Sequence, residues 1–486
     1  QHRHARGTPK FRRLLRHKPR GLFALAWLAS AFLLGHLATV KQVWPATYID
    51  GVIKSADVIK DHFTSKHSSD FMGHTDIPVS QMAQARMKVL APGGNEALLL
   101  VGGPQRYLDF CPGSGCLAVI VDRQGKLVHG TPFRPDELRQ GSIAQSPYQQ
   151  PFVKPELDLN PQGLAQLPGG DLIVTFYNDK AFPFGAGVAR VRRDGHVVWY
   201  RHDYTHHWPT LLPSGKILVT GAEISTKPVW RHLGAGHMLV SGCKAGYLRD
   251  TVQVLGSDGK LLESHSIYAA MLDSPYRALL LQTAIPFRNT PASCDPLHTN
   301  FVVEIGAEMA AALGDVSADD WLLSMRNISA IGIMDRRTGK MKHVFRGNFF
   351  FQHSAQPVGA KILIFDDLGA SAASGPSRVI LFDPVTNAQT TVFPGPETPA
   401  DTPFYTTVAG NIDLSADRQR ALIAVTEAGL TYEIDLATGR LLTRHDNLHD
   451  LRSLGLTPPP EVDNAARFKQ FGAYYVRAPV VAGASD

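Results

Sequence analysis

Two patterns of apolar and polar positions alternate along residues 95–443. The first is a short, nearly continuous apolar run that follows a turn. It reads NEALLLVGG at 95–103, GGDLIVTF at 169–176, SGKILVTG at 214–221, DDWLLSMR at 319–326, AKILIFDD at 360–367 and RQRALIAVT at 418–426. The second is a pair of apolar or β-branched runs around a turn: VIVDRQGKLVH, ARVRRDGHVVW, QVLGSDGKLLE, GIMDRRTGKMKHVF, ILFDPVTNAQTTVF and YEIDLATGRLLTR. Arg-Gln-Gly-Lys, Arg-Asp-Gly-His and Ser-Asp-Gly-Lys have the composition of tight hairpin turns. Each pattern occurs six times, always in the same order. Each pair therefore marks one unit with at least four strands, and the uneven spacing places insertions between strands. Six such units predict an all-β fold, a six-bladed β-propeller. The chain has 43 glycines and 33 prolines, which suits many short strands joined by turns. Between 95 and 443, only Ala269 to Gln282 and Phe301 to Leu313 suggest short helical insertions.

The expected organisation is a basic arm (1–20), a transmembrane helix (21–40), a juxtamembrane linker (41–85), the propeller (86–445) and a C-terminal extension packing on it (446–486). Within the extension, Phe468 to Arg477 has the character of a strand that closes the ring or packs beneath it. Residues 21–40, GLFALAWLASAFLLGHLATV, carry no Asp, Glu, Lys or Arg. Twenty helical residues span about 30 Å, the hydrocarbon thickness of a bilayer. The arm before them carries Arg3, Arg6, Lys10, Arg12, Arg13, Arg16, Lys18 and Arg20 and no acid. That flank predicts a cytoplasmic N-terminus and a propeller on the far side of the membrane. Trp44 and Tyr48 fit the bilayer interface. A cleaved signal peptide, with Ala29-Ser30-Ala31 as its small-residue site, is the competing reading. The net charge of +6 sits largely in this arm, so no nucleic-acid partner is expected.

An extracytoplasmic propeller can hold disulfides. Cys111 and Cys116 enclose the turn sequence PGSG, and Cys243 and Cys294 flank a long insertion. The expected pairs are Cys111–Cys116 and Cys243–Cys294, with four free thiols as the alternative. No CxxC pair exists, which argues against zinc.

In a propeller the innermost strand of each blade lines the central channel. Three consecutive units carry histidine where that strand begins: His206-His207-Trp208-Pro209, Asp295-Pro296-Leu297-His298-Thr299-Asn300 and Gln352-His353-Ser354-Ala355-Gln356. The sixth unit has Asn411 at a comparable place. Equivalent positions on neighbouring blades converge on the axis, so the histidines should cluster. Arg326, followed by Asn327, adds a permanent cation. Three histidines and an arginine suit an anion, because a planar guanidinium grips two oxygens at once. A neutral histidine can act as nucleophile or base and a protonated one as acid. A polar, water-filled channel is the structural alternative. His232 and His237, in the insertion, lack a clear third ligand.

These segments together resemble the bacterial arylsulfotransferases, over about residues 95–445. In that family a His-His pair precedes a Leu-Pro-x-Gly turn. An Asp-x-x-His-x-Asn segment precedes a Ser-x-Arg strand, and a Gln-His-x-Ala segment precedes a Leu-Phe-Asp strand. YTHHWPTLLPSGKILVTG, DPLHTN, DDWLLSMRNISAIGIMDRRTGK and QHSAQPVGAKILIFDD reproduce these in order, with Ile-Phe-Asp in the last place. The resemblance implies sulfuryl transfer from an aryl sulfate to a phenol, without a nucleotide sulfate donor, cofactor or metal. It implies that His353 is transiently sulfated, that Arg326 and His298 neutralise the sulfuryl oxygens, and that His207 completes the catalytic set. His206, Asn300 and Asn327 are expected at the substrate. The expected location is the bacterial inner membrane, single-pass, with a periplasmic propeller. Two alternative readings remain: a non-catalytic accessory subunit of a membrane complex, docked through 21–40 beside other subunits, and, more weakly, a metal-dependent propeller lactonase.

Overall fold

Each of the six sequence units folds into one antiparallel sheet. The computed structural model describes residues 71–102, 115–140, 142–145, 159–177, 184–225, 247–282, 294–367, 377–454 and 463–477, with Ser30 alone before them. All but Ser30 belong to the compact unit Asp70–Asp486. Blade 3 is the plainest case. Its strands His206–Leu211, Ile217–Ser225, Tyr247–Leu255 and Leu261–Ser266 pair in chain order. Blade 4 (Thr299–Glu304, Trp321–Met325, Ala330–Met334, Met341–Phe345) and blade 5 (His353–Val358, Lys361–Asp366, Arg378–Phe382, Gln389–Phe393) repeat it. Blade 2 (Asn160–Gln166, Leu172–Tyr177, Gly185–Val191, Val197–His202) gains Ser142–Gln145 as a parallel fifth strand on its outer edge. Blade 6 (Asn411–Leu414, Arg420–Val425, Leu430–Asp435, Leu441–Asp446) gains Met87–Val89 in the same position.

The apolar run of every unit is the second strand of its blade, and the hairpin is its third and fourth strands. That placement explains the two patterns. A second strand is buried on both faces, because a blade packs on each side of its own. Leu322, Ile362 and Ile364 face the layer between blades 4 and 5, whereas Leu323 faces blade 3 and Leu363 and Phe365 face blade 6. Alternate side chains thus enter different cores, and the strand reads as uniformly apolar. The hairpin turns need a left-handed residue, supplied by Gly125, Gly195 and Gly259 at φ 76°, 83° and 80°.

Six separate apolar layers result, one at each junction between neighbouring blades around the ring. The inner strands touch in a closed cycle, with Gly472–Tyr475 between Asn411–Leu414 and Asn160–Gln166. Gly472–Tyr475 is the inner strand of blade 1, paired with Leu98–Val101 before Cys116–Val121 and Leu127–Pro132. The chain is therefore all-β, with the sheets of a propeller. The propeller boundary differs from the one expected at 445, since the extension itself supplies a blade strand. The linker expected at 41–85 also contains structure: Phe71–Pro78 pairs with Asn464–Phe468, which pairs with Leu448–His449. The helix expected at 301–313 is shorter. Thr299–Glu304 is a strand, and only Ala307–Leu313 is helical. Ile267–Leu272 and Arg277–Gln282 are short helical turns in the blade 3–4 connection.

Residues 21–40 lie outside the described residues, apart from Ser30, as do Cys111, Cys243, His232 and His237. Among the described residues no helix is long and apolar enough to cross a membrane. Cys116 and Cys294 are each held in a disulfide.

A buried ion cluster fastens the joint between blades 6 and 1. The fully buried Glu433 accepts from Arg123 at 2.6 Å, Arg420 at 2.8 Å, Tyr475 Oη at 3.1 Å and Thr443 Oγ1 at 3.1 Å. Arg420 also reaches Glu96 at 2.9 Å. Removing one member of such a cluster strands the remaining charges. Glu433→Ala should lower stability by about 3–5 kcal/mol, read as a loss of thermal midpoint, whereas Asp258→Ala, on an exposed pair with Lys260, should leave the midpoint essentially unchanged.

Candidate functional site

The inner strands of blades 3, 4 and 5 begin at His206, Thr299 and His353, and their starts meet at one end of the channel. One ring nitrogen each of His207, His298 and His353 lies within 4.8 Å of the others. The His207 ring centroid is 5.0 Å from that of His298 and 6.0 Å from that of His353. His206 lies beside His207, with their Nδ1 atoms 2.6 Å apart, so one ring donates and the other accepts. Three segments far apart in sequence thus bring four histidines together.

The backbone is bent to bring them there. His207, His298 and Ser354 have φ of 60°, 49° and 50°, a left-handed conformation that costs about 1–2 kcal/mol for residues with a side chain. Each is clamped. The His207 N–H donates to Gln162 Oε1 at 2.8 Å, and its carbonyl accepts from the Thr175 hydroxyl. Gly163 leaves room for that carbonyl; a Cβ there would meet it at 2.3 Å. The His298 N–H donates to Asp295 Oδ1 at 3.1 Å. The Ser354 hydroxyl accepts from the Ile412 N–H at 3.0 Å.

Arg326 follows the second strand of blade 4. It interacts electrostatically with both His207 and His353. Its Nη1 donates to Asn327 Oδ1 at 3.0 Å, and its guanidinium carbon lies 4.5 Å from the Phe351 ring centre. Arg326 forms no ion pair among the described residues. Burial lowers its pKa from the ordinary value, opposed by Asp367, Asp295 and Glu427. Among the described residues its other N–H groups have no hydrogen-bond partner, which suits them to a ligand. Burial also holds His207 and His353 well below the ordinary histidine value, and neighbouring histidines and Arg326 add to the effect. Burial lowers His206 to about 3. These three rings are neutral near pH 7. The three-nitrogen cluster has the donors to gather around a metal ion, but the adjacent guanidinium favours an anion.

Asn300 and Asn327 brace the cluster through their side-chain amides. Asn300 Nδ2 donates to the carbonyl of Gln352, the residue before His353, at 2.9 Å. Asn327 Nδ2 donates to the Asp295 carbonyl at 2.6 Å. Asn411 is buried, and its Oδ1 accepts from the Ala473 N–H at 3.3 Å.

Several neighbours escaped the sequence reading. Phe184 packs its ring 5.0–5.6 Å from those of His206, His207 and His298. Asp367 Oδ2 is 2.7 Å from His353 Nδ1, close but not aligned as a hydrogen bond. Burial holds Asp367 well above the ordinary carboxylate value. Asp295 Oδ2 contacts His298 Nδ1. Burial alone would raise Asp295, but His298 outweighs it and the net shift is downward. Asp250 Oδ2 accepts from the Thr299 N–H at 2.6 Å, and burial, with Asp295 near, pushes it up to about 8. Asp367 was accessible from the repeat, because it follows the second strand of blade 5 as Arg326 follows that of blade 4. Beyond Trp208 and Asn411 the channel continues as a cavity of about 140 Å³, lined also by Phe301, Tyr474 and Arg477. The histidines lie outside that cavity.

A propeller with a histidine–arginine cluster at the mouth of its axial channel is the class that fold and site define. The family profile described as "Arylsulfotransferase (ASST)" matches residues 163–447, more than half of the chain. The chain belongs to the arylsulfotransferase family. No curated protein matches the sequence. Among solved structures, a Bacteroides caccae protein of unknown function is 10% identical, with a TM-score of 0.45 over 79% of this chain and 99% of that one. Virginiamycin B lyase from Staphylococcus aureus is 11% identical, with a TM-score of 0.31 over 57% and 82%. Kuenenia stuttgartiensis hydrazine synthase is 11% identical, with a TM-score of 0.35 over 66% and 71%.

The buried histidines make stability acid-sensitive. An unfolded histidine binds a proton below about pH 6.5, whereas folded His206 does so only near 3. The unfolded state therefore binds more protons between these values, and stability falls as pH drops through that window. Between pH 6.5 and 5 the His206 contribution is about 2 kcal/mol. Urea unfolding of wild type should weaken over that range, and His206→Gln should weaken less by about that amount.

Proposed function

We propose that the protein transfers a sulfuryl group from an aryl sulfate to a phenolic acceptor, with His353 as the transient carrier. The observation that carries this reading is the meeting of His207, His298 and His353 within 4.8 Å, beside the guanidinium of Arg326, which has no ion-pair partner among the described residues. Sulfuryl transfer resembles phosphoryl transfer: charge is spread over three oxygens, donor and acceptor lie in line, and catalysis is mainly positioning plus cations aimed at those oxygens. Arg326 and His298 bind the oxygens, and His207 flanks them. Neutral His353 attacks sulfur, and the aryl oxygen leaves with the S–O electron pair as a phenolate. A second phenol then takes the group from the sulfohistidine. The two half-reactions give ping-pong kinetics. Asn300 supports the step by holding the backbone carbonyl before His353, and Phe184 offers an apolar wall to an aryl ring.

The span 21–40 supports anchoring in the bacterial inner membrane with the propeller in the periplasm. Cys116 and Cys294 are then paired with Cys111 and Cys243, which an oxidising compartment permits. The accessory-subunit reading has no observation of its own among the described residues.

The test is turnover of 4-nitrophenyl sulfate with phenol as acceptor. Wild type should release nitrophenolate in an acceptor-dependent way, and His353→Ala should lose at least about 10³-fold of the rate. Radiolabelled donor without acceptor should leave acid-labile label on wild type and none on His353→Ala. A folded wild type that releases no nitrophenolate and takes up no label would refute the reading. Arg326→Lys should keep the charge but lose the planar two-oxygen grip, with a rate loss of about 10²-fold.

A further inference from the structure

Of the three clustered histidines, His298 stands apart. His207 and His353 are each about 2% exposed, whereas the His298 side chain is 20% exposed. Its Nδ1 is bound to the Asp295 carboxylate, and Nε2 has no hydrogen-bond partner among the described residues. Asp295 is itself fixed three ways. Its Oδ1 accepts from the His298 N–H, its Oδ2 contacts the ring, and its carbonyl accepts from Asn327, the neighbour of Arg326. His298 sits in a left-handed conformation that the Asp295 contact stabilises. An Asp bound to one ring nitrogen fixes the tautomer, orients the ring and stabilises the imidazolium.

This arrangement does more than neutralise oxygens. We infer that Asp295 is a positioning residue that makes His298 the proton carrier between the enzyme and the phenolic oxygen, a role that rests on the sulfuryl-transfer reading above. In the first half-reaction the His353 lone pair forms the N–S bond. The S–O bond to the aryl group breaks with its electron pair on the aryl oxygen, and the His298 Nε2–H gives its proton to that oxygen. The products are a phenol, a neutral His298 and a sulfated His353 whose ring charge balances the sulfonate. In the second, the acceptor phenol oxygen bonds to sulfur and yields its proton to His298 Nε2, while the N–S electron pair returns to His353. No external acid, base or metal enters the balance.

The opposite surroundings of the two Asp–His pairs fit this division. Asp295 is favoured as a carboxylate, and Asp367, beside His353, is favoured as a neutral acid. Carboxyl groups held in opposite states assign opposite duties to their partners. The neutral partner leaves His353 uncharged and nucleophilic; the charged one lies against the His298 ring. Asp250, buried close to Asp295, is the third carboxyl of the group, and its protonation keeps a second negative charge away from the pair.

A proton donor matters most when the leaving oxygen is basic. Nitrophenolate leaves well without a proton, whereas unsubstituted phenolate does not. Single-turnover sulfation of His353 is therefore measured with 4-nitrophenyl sulfate and with phenyl sulfate, for wild type, Asp295→Asn, His298→Gln and the double variant. Asp295→Asn should lose less than about tenfold with the nitrophenyl donor and about 10²-fold with the phenyl donor. The double variant should be no slower than His298→Gln alone, because the two residues act as one unit. Equal losses on both donors, or additive losses in the double variant, would overturn the proposal. Should Asp295→Asn fail to fold, His298→Gln alone decides, through the same donor dependence. A wild type inert to both donors would instead overturn the sulfuryl-transfer reading itself.

Discussion

A ring of six sheets has to close on itself, and here that closure joins the two ends of the propeller sequence. Gly472–Tyr475 pairs with Leu98–Val101, so blade 1 is built from both. Like every junction around the ring, it holds an apolar layer. This one adds Arg123 and Arg420 around the buried Glu433, with Tyr475 from the closing strand donating to the same carboxylate. The site depends on this closure. His207, His298 and His353 converge only because six inner strands are held around one axis; an open array would splay them.

Convergence then sets the chemistry. The rings are buried together, so desolvation and mutual repulsion keep His206, His207 and His353 neutral. Arg326 keeps its charge among them, because a guanidinium does not give it up. The strain of three left-handed positions is held by Gln162, Asp295 and Ile412 from the same or adjacent blades. Local backbone cost is thus met by contacts that only the assembled ring provides.

Much of this was legible in the chain. The second strands read as apolar runs because both faces are buried, and the hairpins announced themselves through Gly125, Gly195 and Gly259. The cluster His207, His298, His353 and Arg326 followed from repeat position. Less was legible where function depends on depth rather than order. Asn300 and Asn327 sit at site positions in the sequence, but that their Nδ2 groups hold the backbone carbonyls of Gln352 and Asp295 could not be read there. Asp295 and Asp367 look like ordinary turn acids until burial and a ring nitrogen beside each define them. Phe71–Pro78 and Gly472–Tyr475 were ambiguous because their partners lie far away in the chain, and no local pattern encodes a distant pairing.

The closing strand also fixes an order of events in the life of the chain. Synthesis runs from blade 1 towards Tyr475, so the backbone groups of Leu98–Val101 on that edge have no intended partner until the final stretch has emerged. A hydrophobic strand edge left open for so long invites pairing with other chains. Blade 1 therefore cannot be completed until the end of the propeller sequence is available, whatever the state of the blades between.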